Sequence, residues 1–161
     1  MNPWNIIQAL EADNSSLAKQ AILASNIDNA EFLAGARMCL DPLVTFGVKQ
    51  VPIKEDDTPG INVNPALFNN VASQLINREL TGHAARDAII DLMAQSTKVE
   101  WNDWYRRILI KDLRCGTGAK LFNLVKDGSI PLFECMLAHD GAKHPKKIAG
   151  ECYIEYKYDG V

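Results

Sequence analysis

Apolar residues recur at helical spacing through most of the first 128 positions. Trp4, Ile7 and Leu10, with Pro3 in the opening turn, predict a helix over residues 3–12. Asn14 or Ser15 can cap a second helix that carries Leu17, Ala21 and Ile22 on one face. A third starts at Asp28 or Asn29, runs through Phe32, Leu33, Ala36 and Leu40, and ends at Asp41-Pro42. Residues 43–64 are the least regular part, punctuated by KEDDTPG and by Pro52, Pro59 and Gly60. Pro65 then opens a helix through Leu67, Phe68, Val71, Leu75 and Ile76. Thr81 is placed to cap another, with Ala84, Ala85, Ala88, Ile89 and Leu92 on its apolar side. A helix from about Glu100 to Leu113 bears Trp101, Trp104, Tyr105, Ile108 and Leu109 as a wide apolar stripe, leaving Arg106, Arg107 and Lys111 on the opposite side. Gly116-Thr117-Gly118 breaks the chain before a short helix over 119–126. No strand pattern precedes residue 128, so the first region is predicted to be all-α.

The pattern changes after Gly128. Pro131, Gly141, Pro145 and Gly150 punctuate a loop-rich stretch, and ECYIEYKYDG then alternates in polarity as a β-strand does before an Asp-Gly turn. Residues 129–161 are too few to bury a sheet by themselves. Two regions are therefore expected: an all-helical domain over 1–128, and the first strands of an incomplete α+β domain over 129–161.

Composition narrows the class. Hydrophobic residues make up 47% and charged residues 23%, a globular balance that argues against disorder. No apolar run approaches the ~20 residues needed to span a bilayer, and the N-terminus lacks a basic segment followed by an apolar one. Cys39, Cys115, Cys135 and Cys152 lie far apart, and neither they nor the histidines show ligand spacing. They read as free thiols of a cytoplasmic protein with no metal site within this chain. Charge is uneven. Residues 1–60 hold eight acids against four bases, whereas 98–126 hold Lys98, Arg106, Arg107, Lys111, Arg114, Lys120 and Lys126 against Glu100, Asp103 and Asp112. A basic segment in an acidic chain can mark a phosphate-binding face, or merely a solvated helix face.

The chemistry-bearing motif is Lys157-Tyr158-Asp159-Gly160 within EYKYDG. Lys-x-Asp-Gly is a nucleophile motif of covalent nucleotidyltransferases. An amine that attacks the α-phosphate of ATP must be deprotonated near neutral pH, which nearby cations or desolvation achieve by lowering its pKa. Three fixed positions occur by chance in roughly one chain in thirty of this length, so the motif alone could be an exposed lysine before a hairpin turn.

Upstream, LTGHAARDAI (80–89), VEWNDWYRRILIKDLRCGTG (99–118) and IPLFECMLAHD (130–140) resemble, in the same order, the N-terminal region of ATP-dependent DNA ligases of the T-even bacteriophage type. The resemblance is clear over 80–161 and extends to 1–79 in helical character and length. It implies a helical DNA-binding domain followed by the start of an adenylation domain. It also implies that Lys157 is the adenylated nucleophile, that Glu155 contacts the adenine of ATP, and that Asp159 helps position the lysine and nick phosphate. ATP and Mg2+ are the implied cofactors, and nicked double-stranded DNA is the implied partner of a monomer. If phage-encoded, the protein would work in the cytoplasm of a bacterial host, in DNA replication, repair and recombination. Further elements of the family pattern follow the lysine in such ligases, so the 161-residue chain is expected to be inactive on its own.

A second candidate site is DLRCGTGAKLFN (112–123). Gly116, Thr117 and Gly118 form a turn leading into a helix N-terminus, where backbone N–H groups suit a phosphate oxygen, and Arg114 and Lys120 flank it. Gly82, in Thr81-Gly82-His83, could grip phosphate in the same way. Either could equally be a plain helix boundary. His83 is expected at the surface without a catalytic role, and Trp101, Trp104 and Tyr105 in the core. Two readings compete with a ligase: a non-catalytic helical module for double-stranded DNA with a vestigial ligase tail, and a helical protein-interaction domain with a basic face. Salt-sensitive duplex binding separates the last from the other two.

Overall fold

A computed structural model describes residues 1–57, 60, 63–133, 143 and 150–151. The described residues are helical and contain no strand. The expected strand of ECYIEYKYDG lies outside them beyond Glu151. The elements are α1 (Pro3–Ala12), α2 (Ser16–Asn26), α3 (Ala30–Leu40), α4 (Pro65–Ile76), α5 (Gly82–Gln95), α6 (Lys98–Glu100), a π-helical turn (Trp101–Tyr105), α7 (Arg106–Leu109) and α8 (Ala119–Val125).

Local chemistry sets the boundaries. The side chains of Ser15, Asn29 and Asn64 accept from backbone N–H groups of the helices they precede. Thr97 and Glu100 form a reciprocal capping box. Helix α4 ends in a left-handed Arg78, φ 64°, with Arg78 N–H donating to Leu75 and Glu79 N–H to Gln74. Lys111 does the same after α7 at φ 61°, with its N–H on Ile108 and that of Asp112 on Arg107. Glycine usually fills this αL position after a helix. Lys111 is held there because its ammonium group donates to the carbonyls of Met38 and Asp41 at the end of α3. The rod that was expected to reach Leu113 therefore stops at Leu109.

Helices α6, the π turn and α7 run on as one rod through the middle of the molecule. Trp101, Trp104, Tyr105, Ile108 and Leu109 are buried, as the apolar stripe predicts. Phe32 of α3 stacks on Trp104 and on Phe122 of α8, with ring centroids 5.6 and 5.8 Å apart, and Phe68 of α4 meets Tyr105 at 4.4 Å. The rod packs against α1 and α3, α2 packs on α1 and α8, and α4 pairs with α5. Gly35 lets α3 lie directly on the rod: a Cβ there would lie 2.3 Å from Trp104 Cζ2.

The buried face of α2 differs from expectation. Leu17 and Ala21 are exposed, whereas Lys19 and Leu23 are buried and Ile22 is half-buried. Lys19 is accommodated because its Nζ donates to the Cys115 carbonyl at 2.7 Å, which satisfies a charge that burial would otherwise make costly.

The irregular segment after α3 is fastened to the central rod by side chains. Trp101 Nε1 donates to the Pro52 carbonyl at 2.9 Å, and Arg106 Nε to the Val51 carbonyl at 3.1 Å. Asn102 exchanges two hydrogen bonds with the Lys54 backbone. Lys54 itself is buried, its Nζ donating to the Met93 and Ser96 carbonyls at the end of α5. Ser129 and Ile130 close the helical core. Asn123 brackets the Ile130 backbone with two hydrogen bonds, and Arg37 Nε donates to the Ser129 carbonyl at 2.6 Å.

Candidate nucleic-acid interface

Fastening residues 47–52 to the rod leaves a groove between that strap and α5. The groove has a volume of about 850 Å³. Ala85, Ile89 and Met93 of α5 form one wall, Val48, Val51 and Pro52 the other, and the end of α7 closes it. Lys49, Arg86, Arg106 and Arg114 line it against a single acid, Asp112. Asp112 meets Arg114 at 3.8 Å, and both are more than half exposed, so the pair is weak and solvent-screened. At the rim Gly82 opens α5 with φ +54°. Thr81 occupies the N-cap position as expected, but its side chain makes no capping bond. His83 is exposed, as expected.

Two consecutive arginines have opposite roles. Arg107 is buried, with ion pairs to Glu11 at 2.9 Å and Asp103 at 2.8 Å, and it donates to the Leu113 carbonyl at 2.8 Å. Arg106 faces the groove. Among the described residues only its Nε has a hydrogen-bond acceptor, the Val51 carbonyl, and no carboxylate pairs with it. Burial, then the nearby charges of Arg114 and Arg107, push its guanidinium below the usual arginine range; an arginine crowded by like charges favours an anion. The basic segment is thus not one solvated helix face: Arg107 and Lys111 are internal fasteners.

The turn expected to approach phosphate is built tightly. Asp112 Oδ1 accepts from the Arg114 N–H at 2.9 Å, and Arg114 and Gly116 take φ values of 53° and 66°. The Cys115 thiol meets the Thr117 hydroxyl at 3.0 Å. Gly118 stands at the N-cap of α8 without a side-chain cap, and a Cβ at Gly118 would meet nothing within 4 Å. Gly116, Gly118 and Lys120 are exposed and Thr117 is half-buried.

Of the residues expected to bind DNA, the structure brings Gly82 and Arg114 together in the groove. Gly116, Thr117 and Gly118 lie on the adjoining turn and Lys120 in the first turn of α8, and none of them lines it. Glu155, Lys157 and Asp159 lie outside the described residues. Sequence reasoning missed Lys49 and Arg86 as members of a site. It also gave Arg106 and Arg107 the same place, because adjacent residues of equal charge carry no signal for which one meets a carboxylate. Among the described residues no cluster of His, Cys, Asp or Glu could hold a metal ion, and no helix is long and apolar enough to cross a membrane.

No protein-family model matches the chain. It is 27% identical over 160 residues to the DNA ligase of Enterobacteria phage T4, a match covering 97% of this chain and 33% of that protein, and equally to the DNA ligase of Enterobacteria phage T6. Among solved structures it is similar to one named Pmar-Lig_PreS3, with a TM-score of 0.82 and 47% identity over 93% of this chain and 36% of that one. A second, Pmar-Lig_Pre, gives a TM-score of 0.81 at the same identity and coverage. The chain thus spans about a third of the length of the proteins it matches, and along nearly its whole extent it is similar to DNA ligases of the T-even phage kind.

Proposed function

We propose that this chain is the DNA-gripping and nucleophile-bearing portion of an ATP-dependent DNA ligase, acting on nicked duplex DNA. The observation that carries the reading is the ligase likeness over more than nine-tenths of the chain, at a TM-score of 0.82. In this reading residues 1–128 form the DNA-binding domain and 129–161 begin the adenylation domain, with Ser129 and Ile130 as the junction packed on the helical core. The grip on DNA is through backbone phosphates, by Arg114, Lys120 and the N–H groups around Gly82, Gly116, Thr117 and Gly118. Such contacts carry no base information, so binding is independent of sequence.

The chemistry falls to Lys157. Its deprotonated amine attacks the α-phosphorus of ATP, a P–N bond forms, and pyrophosphate leaves. The AMP then passes to the 5′-phosphate at the nick, and the adjacent 3′-hydroxyl displaces it to close the phosphodiester. Glu155 contacts the adenine and Asp159 positions the lysine. Magnesium accompanies the triphosphate and would be held by residues other than those described. The complete protein would serve replication, repair and recombination as a monomer in the cytoplasm of a bacterial host. The 161-residue chain by itself is expected to bind nicked duplex without sealing it.

The test is binding of the chain to nicked, intact and single-stranded DNA across a salt series. The same chain is also joined to the downstream part of a related ligase and assayed for ATP-dependent labelling at Lys157. Duplex binding with a steep salt slope, and labelling abolished by Lys157→Ala, are the expected results. Labelling without duplex binding would remove the DNA-gripping role. Duplex binding without labelling would leave a helical DNA-binding module whose lysine motif is vestigial.

A further inference from the structure

The groove between the 47–52 strap and α5 is a built cationic channel whose key residues the ligase likeness does not single out. We propose that it is an anion channel for the sugar–phosphate backbone of one DNA strand, with Arg106 as its fixed phosphate seat and Lys49, Arg86 and Arg114 as its flanking charges. The inference rests on the DNA-binding reading above and deepens it by naming the groove and the part of the DNA it takes.

Three observations carry it. Arg106 is half-buried and held by one bond, from Nε to the Val51 carbonyl, which leaves its two terminal nitrogens without an acceptor among the described residues. A guanidinium anchored at Nε presents a planar pair of donors suited to two oxygens of one phosphate. The charge balance is lopsided: four cations line the groove against Asp112, and neither Lys49 nor Arg86 forms an ion pair among the described residues. The Arg78 guanidinium adds a further cation beside the strap, lying where a Cβ on Gly47 would otherwise be. Finally, the walls between the charges are apolar, with half-buried Val48 and Pro52 and exposed Ile90. Deoxyribose offers apolar faces between phosphates, and this alternation matches a strand lying along the groove. A free inorganic anion would leave that apolar surface uncovered.

The strap also explains why the seat is precise. Trp101 and Asn102 hold Pro52 and Lys54 one turn from Arg106, so the carbonyl that orients the guanidinium is itself fixed by the rod that carries it. Arg106 needs little ordering when a phosphate arrives, which lowers the entropic cost of the contact.

The experiment measures binding of the full 161-residue chain to a nicked duplex by fluorescence anisotropy between 50 and 300 mM salt, on the order of the range over which counterion release is read. The variants are Arg106→Gln, Lys49→Gln with Arg86→Gln, and Lys120→Gln on the neighbouring turn, each checked for unchanged thermal unfolding. Arg106→Gln is expected to weaken binding about tenfold and to lower the log–log salt slope by about one. Arg106→Lys restores the slope without the full affinity, because an ammonium keeps the charge but loses the two-donor geometry. Unchanged affinity and slope in both groove variants, with Lys120→Gln weakened, would overturn the channel and leave the DNA-binding reading standing. Arg106-dependent capture of an acidic, apolar-rich peptide with the duplex slope unaltered would assign the groove to a protein partner and also overturn it. Absence of salt-sensitive duplex binding by the unaltered chain would remove both.

Discussion

The buried ammonium group of Lys19 reaches the Cys115 carbonyl at 2.7 Å, and its Nζ lies 2.6 Å from where a Cβ on Gly116 would be. A lysine near the start of the chain therefore holds the turn proposed to meet DNA, 96 residues away in sequence. The turn keeps its shape through this contact and through the left-handed backbone of Gly116.

The two contributions separate by substitution. Gly116→Ala places a Cβ at φ +66°, which costs about 1–2 kcal/mol; the approach to Lys19 adds little, because the tip of a flexible side chain can move aside. Lys19→Met leaves the Cys115 carbonyl without its donor and is expected to cost about 1–3 kcal/mol. Urea unfolding of each variant measures both. A Gly116→Ala protein as stable as the parent would show that the turn does not hold this backbone in solution.

Gly35 is constrained by packing and not by its backbone. A methyl group there would sit 2.3 Å from Trp104 Cζ2 and 2.8 Å from Ile108 Cδ1, inside a stack that also holds Phe32. Alanine gains about 1 kcal/mol of helix propensity over glycine, but overpacking a rigid indole costs typically 1–3 kcal/mol and sometimes more. Gly35→Ala is expected to be destabilised on balance, with perturbed near-ultraviolet dichroism from Trp104. A more stable variant would mean that α3 and the central rod separate easily.

The buried thiols should be inert. Burial pushes Cys39 up to about 12, partly opposed by the Lys111 charge, and raises Cys115 above its ordinary value, opposed first by hydrogen bonding to Thr117. In a chain carrying Cys135→Ser and Cys152→Ser, both remaining thiols should resist iodoacetamide at pH 8 and react on denaturation. Rapid labelling of the native protein would contradict the packing of α3 against the end of α7.

Glu31 and Glu100 predict a pH dependence. Both carboxyls are raised, first by burial; for Glu31 the Glu100 charge adds to this, and for Glu100 the Thr97 and Val63 N–H groups partly oppose it. A carboxyl raised in the folded state binds its proton more tightly there than in the unfolded chain. Its contribution is full below the ordinary value near 4.5 and diminishes as pH rises through the folded value. Glu31→Gln should therefore gain stability relative to the parent at pH 7 compared with pH 4.5, in denaturant melts at the two values. A difference that is independent of pH would show that folding does not raise the Glu31 carboxyl.

The sequence alone determined the elements whose signals are local. Ser15 and Asn29 cap where short polar side chains before an apolar period are expected to, Pro65 opens α4, and Trp101, Trp104, Tyr105, Ile108 and Leu109 are buried because their spacing puts all five on one helical face. Family likeness was legible for the same reason: motifs in order survive as strings. Tertiary structure decided what depends on partners distant in the chain. Only the fold distinguishes Arg107, which finds Glu11 and Asp103, from Arg106, which finds a carbonyl and open space. Only the fold buries Lys19 in place of Leu17, because the Cys115 carbonyl happens to lie above it. The groove belongs mostly to this second class. Gly82 and Arg114 were legible as candidates, but Lys49 and Arg86 come from separate segments that only the fold brings to them, and a charged side chain takes its role from the nearest opposite charge or acceptor, which no spacing along the chain encodes.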